Sequence, residues 1–571
     1  MNPDQAKPCI VQRDRTVLLE TGHAGAGPAR EQLQYYAELL KSPSGFHTYR
    51  LTPLSLWNAA ETGWGAEQVL NSLASISRWQ LPAGLVEDIR TLMNRYGSLR
   101  LIGSWEQPVL NLVCEDEVMM RQLETLADWT TLGLGRWKEG SVDIPSHFRG
   151  RVKQELTRLG YPVVDLVGYH SGSRLKLSLT NSEGTECRLR SYQQEAVEAF
   201  RDSGGRGGSG VLVLPCGAGK TVIGIGVINQ LQCETLILTS NTTSIRQWIA
   251  ELTGKTSLAA AEIGEYSGER KQIRPITVAT YQMLSRRNAK DHQFPHMKLL
   301  SERSWGLIIY DEVHLLPAPV FRATAEIQAT RRLGLTATLI REDGREQDVF
   351  SLIGPKRYDM PWKMLEQQGW LAGVECREVH VPLPLELKEA YQQSAERQRF
   401  RLASENPDKL PVIRQLLSAH QGHQTLVIGH YLDQLRRIAD ELEVPLITGS
   451  MGQQERQNCY DAFRSGEIRV LVVSKVANFA IDLPDAAVAI EVSGTFGSRQ
   501  EEAQRLGRVL RPKSGDNKAY FYTLVSADTK EQLFAARRQM FLVEQGYEYR
   551  ISRVDGTSGA HPPWIVDGRS E

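Results

Sequence analysis

The chain has 571 residues, and at roughly 100–200 residues per domain this length predicts about three to five domains. Hydrophobic residues make up 41% of it, enough for several cores, and Lys+Arg and Asp+Glu both number 67. The resulting net charge of zero excludes a strongly basic coat protein for nucleic acid, so any nucleic-acid binding must use local basic surfaces and backbone dipoles.

The seven cysteines are scattered and form no Cys-x-x-Cys pair, which indicates a reducing compartment and argues against a structural zinc site. The sequence shows neither a signal-peptide pattern at its start nor an apolar run long enough to span a membrane. We therefore expect a soluble, cytoplasmic prokaryotic protein with no membrane association.

Residues 1–102 and 103–180 are predicted to form two small α+β modules with no catalytic signature, which favours an interaction role for both. Hydrophobic periodicity predicts, in chain order, a strand at Thr16–Leu19, helices at Arg30–Leu40 and Ala66–Ile76, a strand at Leu110–Val113, a helix at Gly150–Leu159 and a strand at Tyr161–Val167.

From residue 186 onward, short apolar runs alternate with helical patterns, which is typical of a parallel sheet with crossover helices. The cycle occurs twice, so we predict an α/β fold with two tandem lobes at 186–360 and 374–550, followed by a tail at 551–571. The predicted strands are Val211–Leu214, Thr235–Leu238, Ile276–Ala279, Leu307–Tyr310 and Arg332–Leu335, then Thr425–Ile428, Leu446–Thr448, Arg469–Val473, Val488–Glu491 and Ala519–Thr523.

Between the lobes, Glu386–Asn406 contains no Gly or Pro and is predicted to be helical. Its composition fits a solvated connector as well as an inserted element that touches a substrate.

The predicted strand Val211–Leu214 leads into PCGAGKT, residues 215–221, which has the features of a phosphate-binding loop. Gly217, Ala218 and Gly219 let successive N–H groups approach phosphates next to a helix N-terminus. Lys220 can reach the β- and γ-phosphates, and the Thr221 hydroxyl can bind Mg²⁺. The general motif has a glycine where this chain has Leu214, so the match is to the shorter G-x-G-K-T form.

An acidic pair follows the predicted strand Leu307–Tyr310, at the place where a nucleotide site needs it. Asp311 can hold Mg²⁺, and Glu312 can polarise the attacking water. The two sites together predict an ATPase that uses ATP and Mg²⁺.

Three further residues in the second lobe resemble a motif of helicase superfamily 2. Gln504, Arg508 and Arg511 have the Gln-x-x-Gly-Arg-x-x-Arg spacing of that superfamily's motif VI. The resemblance implies that the two arginines act as arginine fingers and that the glutamine orients the γ-phosphate or the water. An exposed helix with surface salt bridges is the alternative interpretation.

Upstream, Arg190 and Gln193 lie in a segment that resembles the Q-motif, which implies that they bind the adenine of ATP. Other segments resemble the loops of motifs Ia, Ib and III, which implies that DNA is bound there through backbone N–H groups and hydroxyls. The candidate DNA-binding residues of these loops are Thr239, Thr280, Thr336 and Thr338.

The triplet Arg341, Glu342 and Asp343 directly after motif III resembles the RED motif of the XPB family, whose role is to engage DNA at the duplex junction. The chain is therefore identified as a compact prokaryotic member of that family, with RecA-like lobes. The inserted element at about 384–408 then matches the family's thumb, and residues 103–180 its damage-recognition domain. Motif V departs from the usual Gly-x-Asp, since Ala480 precedes Asp482, the expected nucleotide-coupling residue.

The resemblance implies a monomeric 3′→5′ DNA helicase that opens duplex or forked DNA in nucleotide excision repair, together with a nuclease partner in archaea. Two alternatives stay open. One is a motor that acts on RNA or remodels protein–DNA complexes without strand separation. The other is a scaffold, activated by its partner, that recruits a nuclease.

Overall fold

The computed structural model describes residues 7–41, 45–126, 132, 134–135, 137–181, 184–201, 208–287, 294–328, 330–337, 346–474, 486–494, 507, 517–544, 547, 549–554 and 565–567. The chain forms two compact units. The first extends to residue 360, apart from 41–43 and 215–218, and the second contains those two short pieces and residues 361–571. No helix among the described residues has the length and apolar character needed to cross a membrane.

The first module contains a sheet in the order β1-β2-β4-β3, covered by helices. Its elements are β1 (Cys9–Val11), β2 (Thr16–Glu20), α1 (Ala26–Tyr36), β3 (Glu38–Lys41), β4 (Phe46–Arg50), α2 (Pro53–Glu61), α3 (Ala66–Ile76) and α4 (Ala83–Arg95). A capping box between Thr52 and Ser55, with Pro53 at the first helical position, starts α2. The predicted helix at Arg30–Leu40 ends earlier, at Tyr36, because the chain turns there into the strand β3.

The second module has a mixed sheet in the order β7-β6-β5-β8, in which only β5 and β8 pair in parallel. Its elements are β5 (Leu99–Ile102), β6 (Val109–Val113), α5 (Glu117–Leu126), β7 (Ser141–Pro145), α6 (Arg149–Arg158) and β8 (Val163–Asp165). The predicted boundary after residue 102 is therefore wrong by one strand, because Leu99–Ile102 pairs with β6 and β8.

Lobe 1 is a seven-stranded parallel sheet in the order β11-β12-β10-β13-β14-β9-β15. Its strands are β9 (Ser209–Val213), β10 (Thr235–Thr239), β11 (Ile263–Tyr266), β12 (Ile276–Thr280), β13 (Leu307–Asp311), β14 (Arg331–Thr336) and β15 (Lys356–Asp359). Its helices are α7 (Ser191–Arg201), α8 (Lys220–Leu231), α9 (Thr242–Lys255), α10 (Tyr281–Leu284), α11 (Ala318–Glu326) and α12 (Glu346–Asp348). The five predicted strands are confirmed, and their side chains form the buried core.

Lobe 2 is an eight-stranded sheet in the order β18-β19-β17-β20-β21-β16-β22-β23, in which only β23 is antiparallel. Its strands are β16 (Gly373–Val381), β17 (Thr425–Gly429), β18 (Leu446–Ile447), β19 (Val470–Ser474), β20 (Val488–Glu491), β21 (Lys518–Ser526), β22 (Tyr549–Val554) and β23 (Ile565–Asp567). Its helices are α13 (Trp362–Gln367), α14 (Leu385–Gln393), α15 (Glu396–Ser404), α16 (Lys409–Ala419), α17 (Leu432–Leu442), α18 (Gln453–Ser465) and α19 (Lys530–Glu544).

The predicted fold class, two tandem parallel-sheet lobes after small α+β modules, is confirmed by these sheets. The predicted C-terminal tail at 551–571 is wrong in part, because β22 pairs with β16 and β23 adds to the same sheet.

The helical segment predicted at Glu386–Asn406 consists of two helices, α14 and α15, with extended backbone at Ser394 between them. Helix α15 packs on lobe 2, where the Phe400 ring contacts that of Phe534 at a centroid distance of 5.0 Å. Lys530 also pairs with Glu396 at 2.7 Å. Helix α14 has no buried residue, so the segment has one anchored helix and one solvated helix.

Candidate functional site

The residues of the predicted site follow the carboxyl ends of five parallel strands in lobe 1. Strands β9, β10, β12, β13 and β14 run in one direction, so their carboxyl ends lie along the same edge of the sheet. The polar or flexible segments that follow them are thereby collected at this edge, where open α/β sheets bind their ligands. We call it the carboxyl edge of lobe 1.

The phosphate-binding loop leaves β9 and enters α8 through two glycines with left-handed backbone. The φ angle is 85° at Gly217 and 76° at Gly219, a conformation that glycine adopts without steric cost. A Cβ atom on Gly219 would lie 2.7 Å from Gln193 Nε2, so the Gln193 side chain packs directly against the loop. Lys220 and Thr221 then form the first turn of α8, where free N–H groups and the helix dipole favour an anion. This loop fits a nucleotide phosphate.

The predicted adenine-binding residues lie against this loop. Gln193 is buried, and its Oε1 accepts a hydrogen bond from the backbone N–H of Arg190 at 3.0 Å. The Arg190 guanidinium donates to the Tyr192 hydroxyl at 3.2 Å. The structure thus brings Gln193 next to Gly219, while adenine binding by Arg190 and Gln193 stays a prediction.

Glu312 has strained backbone, with φ 51° and ψ 54°. A left-handed conformation outside glycine costs free energy and persists only where surrounding contacts enforce it, often at functional sites. The Glu312 carboxylate lies 3.8 Å from Lys220 Nζ and 3.5 Å from His314 Nδ1. His314 Nδ1 is also 2.7 Å from the Thr336 hydroxyl, so the end of β14 is connected to Glu312 through one imidazole.

Asp311 ends β13 and receives hydrogen bonds from two aromatic side chains. Trp248 Nε1 donates to Asp311 Oδ2 at 2.9 Å, and the Tyr281 hydroxyl donates to the Asp311 carbonyl oxygen at 2.8 Å. Burial raises the pKa of the Asp311 carboxyl to about 6, and the Glu312 charge raises it as well, whereas the Trp248 hydrogen bond and Lys220 lower it.

The donor set fits Mg²⁺, since Asp311 supplies a carboxylate and Thr221 a hydroxyl, both hard oxygen ligands, at the same edge as the phosphate loop. Sequence reasoning did not assign a role to Trp248, Tyr281 or His314. A usable signal existed, because each is a hydrogen-bonding ring in a segment that follows a predicted strand.

Three of the threonines predicted to bind DNA, Thr239, Thr280 and Thr336, are buried and their hydroxyls are bonded within the protein, while DNA binding by the backbone N–H groups of these loops stays a prediction. Thr239 Oγ1 donates to the Asn241 carbonyl at 3.2 Å, and Thr280 Oγ1 accepts from the Met283 N–H as the cap of α10. Thr336 is fully buried and contacts His314. These hydroxyls shape the loops, and the exposed side chains beside them include Thr242, Gln282 and Arg286.

The remaining predicted site residues lie outside the described part of the chain. They are Thr338, Arg341, Glu342, Asp343, Asp482, Gln504, Arg508 and Arg511.

Three family models match separate parts of the sequence. "ERCC3/RAD25/XPB C-terminal helicase" matches residues 365–561, "Type III restriction enzyme, res subunit" matches 186–341, and "Helicase conserved C-terminal domain" matches 9–138. The first two matches fall on lobe 2 and lobe 1, and the third falls on the N-terminal modules.

Full-length relatives are also similar. A protein of Kineococcus radiotolerans named "DNA 3'-5' helicase XPB" is 51% identical over 97% of this chain and 98% of its own length. A protein of Mycobacterium tuberculosis with the same name is 51% identical over 97% of this chain and 99% of its own. The "General transcription and DNA repair factor IIH helicase/translocase subunit XPB" of Encephalitozoon cuniculi is 32% identical over 96% of this chain and 83% of its own.

Proposed function

The chain belongs to the XPB family of DNA helicases, and from this premise we propose that it hydrolyses ATP to separate the strands of duplex DNA with 3′→5′ polarity. The observation that carries the proposal is the carboxyl edge of lobe 1. There a phosphate-binding loop, the carboxylate of Asp311 and the strained Glu312 meet around Lys220. The same edge that binds the nucleotide also carries the segments expected to face DNA.

ATP would be held by the N–H groups of residues 217–221 and by the Lys220 ammonium, which oppose the phosphate charge. Thr221 and Asp311 would hold Mg²⁺, which would offset the negative charge of the phosphates when bound. Glu312 would orient the attacking water and accept its proton, with Lys220 and His314 fixing the direction of its carboxylate.

The state of the site would pass to DNA through the short path from Glu312 over His314 to Thr336. Thr336 ends β14, and the segment that directly follows contains Arg341, Glu342 and Asp343, which we propose engage the duplex junction. From the family resemblance we also propose Arg508 and Arg511 as arginine fingers, Gln504 as their polar neighbour and Asp482 as a nucleotide-coupling residue. Arginine fingers contribute about 10³–10⁵ in rate in related NTPases.

The test is strand displacement on forked duplexes that carry either a 3′ or a 5′ tail. Wild-type protein should open the 3′-tailed fork with ATP and Mg²⁺, and Glu312→Gln should bind ATP but displace no strand. The matched control is Glu234→Gln, because Glu234 is a buried carboxylate at the amino end of the same sheet, where it pairs with Arg303 at 2.7 Å. Normal displacement by Glu312→Gln would overturn its assigned role, and opening only of the 5′-tailed fork would overturn the polarity.

A second candidate is translocation along duplex DNA without strand separation. It has support in the name of the Encephalitozoon cuniculi relative, which pairs helicase with translocase. Displacement of a third strand from a DNA triplex, with no opening of the 3′-tailed fork, would favour it.

We propose a role in DNA repair in the cytoplasm of a prokaryotic cell, since the two relatives at 51% identity are bacterial and the eukaryotic relative is named a DNA repair factor. A nuclease partner is proposed from the family resemblance. Affinity purification of the chain from its host, with and without nuclease treatment of the extract, would identify a partner that DNA does not bridge.

A further inference from the structure

Asp311 is held from two sides by hydrogen bonds that arise on different segments. The indole N–H of Trp248 reaches the carboxylate at 2.9 Å, and the phenol of Tyr281 reaches the carbonyl of the same residue at 2.8 Å. Trp248 and Tyr281 are 1% and 3% exposed, so neither side chain serves as a surface contact.

Both aromatic residues belong to segments that begin at the carboxyl edge of lobe 1, where the DNA-binding loops are predicted. Trp248 lies on α9, which follows β10 and is capped by Asn241 through the Ser244 N–H at 2.9 Å. Tyr281 is the first residue of α10 and directly follows β12. These are the loops that resemble motifs Ia and Ib.

The indole of Trp248 is also wedged against the phosphate-loop helix. A Cβ atom on Gly224, one turn after Lys220 in α8, would lie 2.6 Å from Trp248 Cη2. A displacement of α9 must therefore move the indole relative to α8, or move Asp311 with it, because an interior packed this closely transmits strain.

The Tyr281 contact has a different consequence. The Asp311 carbonyl belongs to the peptide group that leads into Glu312, whose backbone is left-handed. A hydrogen bond to this carbonyl fixes the plane of that peptide and with it the direction in which Glu312 leaves the strand. Trp248 thus orients the carboxylate of Asp311, and Tyr281 orients the peptide group that leads into Glu312.

We propose that Trp248 and Tyr281 are positioning residues that couple DNA binding at the starts of α9 and α10 to the orientation of Asp311 and Glu312. The inference rests on the proposed function, because it names how that site senses its DNA. Both side chains are buried and donate to Asp311, so we assign each of them an effect through the acidic pair.

The test compares two conservative variants with two matched controls in the full chain. Trp248→Phe and Tyr281→Phe each remove one hydrogen-bond donor and keep an aromatic ring. Trp305→Phe removes an equally buried indole whose N–H donates to the Leu299 carbonyl at 2.8 Å. Tyr310→Phe removes a buried phenol that contacts the Thr324 hydroxyl at 3.0 Å, one residue before Asp311.

The readout is the coupling ratio, defined as the affinity for a 3′-tailed fork with AMP-PNP and Mg²⁺ divided by the affinity without them. Coupling between two ligands is reciprocal, so AMP-PNP affinity measured with and without the fork must give the same ratio. Allosteric ratios are typically about 5–150-fold, and we expect each test variant to lower the wild-type ratio at least about threefold. AMP-PNP affinity without DNA should change less than the ratio does, and both controls should keep the wild-type ratio.

A wild-type ratio in both test variants would overturn the proposal and leave the proposed function intact, since strand displacement tests that function separately. An equal loss in Trp305→Phe and Tyr310→Phe would also overturn it, because the contacts would then act as ordinary packing. Absence of coupling in the wild-type chain would overturn it as well. If Trp248→Phe lowers the unfolding temperature far below that of Trp305→Phe, the nearly isosteric Tyr281→Phe decides alone.

Discussion

The two edges of the lobe 1 sheet both concentrate charge, and they use it in opposite ways. At the amino edge, charged side chains of the second module and of β14 are linked by hydrogen bonds, because the buried Arg149 and Lys153 donate to Asp165, and Lys153 and the buried Arg332 both donate to Gln328. At the carboxyl edge, the backbone of Glu312 is strained and the pKa of the Asp311 carboxyl is raised, and Lys220 is the cation near both carboxylates.

In the amino-edge network, Asp165 accepts from both Arg149 and Lys153 at 2.9 Å. Burial raises the pKa of the Asp165 carboxyl, but the two cations outweigh burial and hold that pKa well below its usual range. Lys153 also donates to Gln328 of lobe 1 at 2.8 Å, and Arg332 donates to the Leu352 carbonyl at 2.7 Å. The network therefore fastens the second module to lobe 1.

The difference shows that charged residues at one edge of the sheet stabilise the fold, whereas those at the other edge form the ligand site. A buried charge that serves structure is satisfied by partners already in the fold, because an unpaired one would destabilise it. A ligand-binding site instead contains a carboxyl with a shifted pKa, here Asp311, and a residue with strained backbone, here Glu312. Four predictions test this contrast.

The largest effect is expected at the carboxyl edge. Lys220→Ala should lower ATP turnover about 10³-fold or more, the scale of a cation that stabilises the transferring phosphoryl group, while the unfolding temperature stays near wild type. Steady-state phosphate release measures it. The control is Lys255→Ala, which removes a lysine of α9 that pairs with Glu251 at 2.6 Å. Turnover by Lys220→Ala at the level of this control would mean that the phosphate site lies elsewhere.

The amino edge should show the reverse behaviour. Asp165→Asn leaves Arg149 and Lys153 buried without their anion and should destabilise the fold by about 3 kcal/mol or more. Thermal unfolding should show a lower midpoint, whereas ATP turnover per folded molecule should stay close to wild type. Asp143→Asn on the exposed face of β7 is the control. If a stable Asp165→Asn protein lost ATP turnover, the claim that the amino edge serves stability and the carboxyl edge serves catalysis would be contradicted.

A smaller effect is expected where the second module meets lobe 1. A Cβ atom on Gly150 would lie 2.7 Å from the Cα of Ala325 in α11, so Gly150→Ala should overpack this contact and cost about 1–3 kcal/mol. Gly254→Ala in α9 meets nothing within 4 Å and should instead stabilise the fold by about 0.5–1 kcal/mol. The two unfolding midpoints should move in opposite directions. A stabilised Gly150→Ala would mean that the module and the lobe are not in close contact at α6.

The smallest effect concerns pH. A raised pKa means that the Asp311 carboxyl gains its proton as the pH falls through about 6, while an ordinary aspartate stays ionised. A metal ligand must be deprotonated, so Mg²⁺-dependent ADP affinity should fall about twofold between pH 8 and pH 6, with Mg²⁺-free affinity as the reference. Asp165 stays ionised in this range, since its pKa is lowered. If the Mg²⁺-dependent ADP affinity did not change between pH 8 and pH 6, the raised pKa assigned to Asp311 would be contradicted.

Strands that are apolar throughout were predictable, because each buries both faces, as Leu307–Asp311 does. Two kinds of strand were not predicted from the sequence. The edge strand Lys356–Asp359 is polar and half-exposed, so it lacks an apolar run. The inner strand Gly373–Val381 contains Glu378 and His380, which are buried as a hydrogen-bonded pair. These polar residues interrupt the apolar run by which a buried strand is predicted.

The site was predictable where chain order alone fixes a role, as for Lys220 after β9 and Asp311 at the end of β13. It was not predictable where a role depends on burial or on contacts across strands. Thr239 and Thr280 have the residue type of a phosphate contact, yet their hydroxyls bond the backbone. Trp248 reaches Asp311 across 63 residues of sequence, a contact that periodicity cannot reveal.

ATP turnover with no nucleic acid, with blunt duplex, with forks that carry a 3′ or a 5′ tail, and with RNA decides whether the chain is a DNA motor. We expect DNA to stimulate turnover, most strongly as the 3′-tailed fork, and RNA to stimulate it only weakly. Lys220→Ala should show no stimulation. Turnover that no DNA stimulates, or that RNA stimulates equally, would contradict an ATP-driven DNA motor at the carboxyl edge of lobe 1.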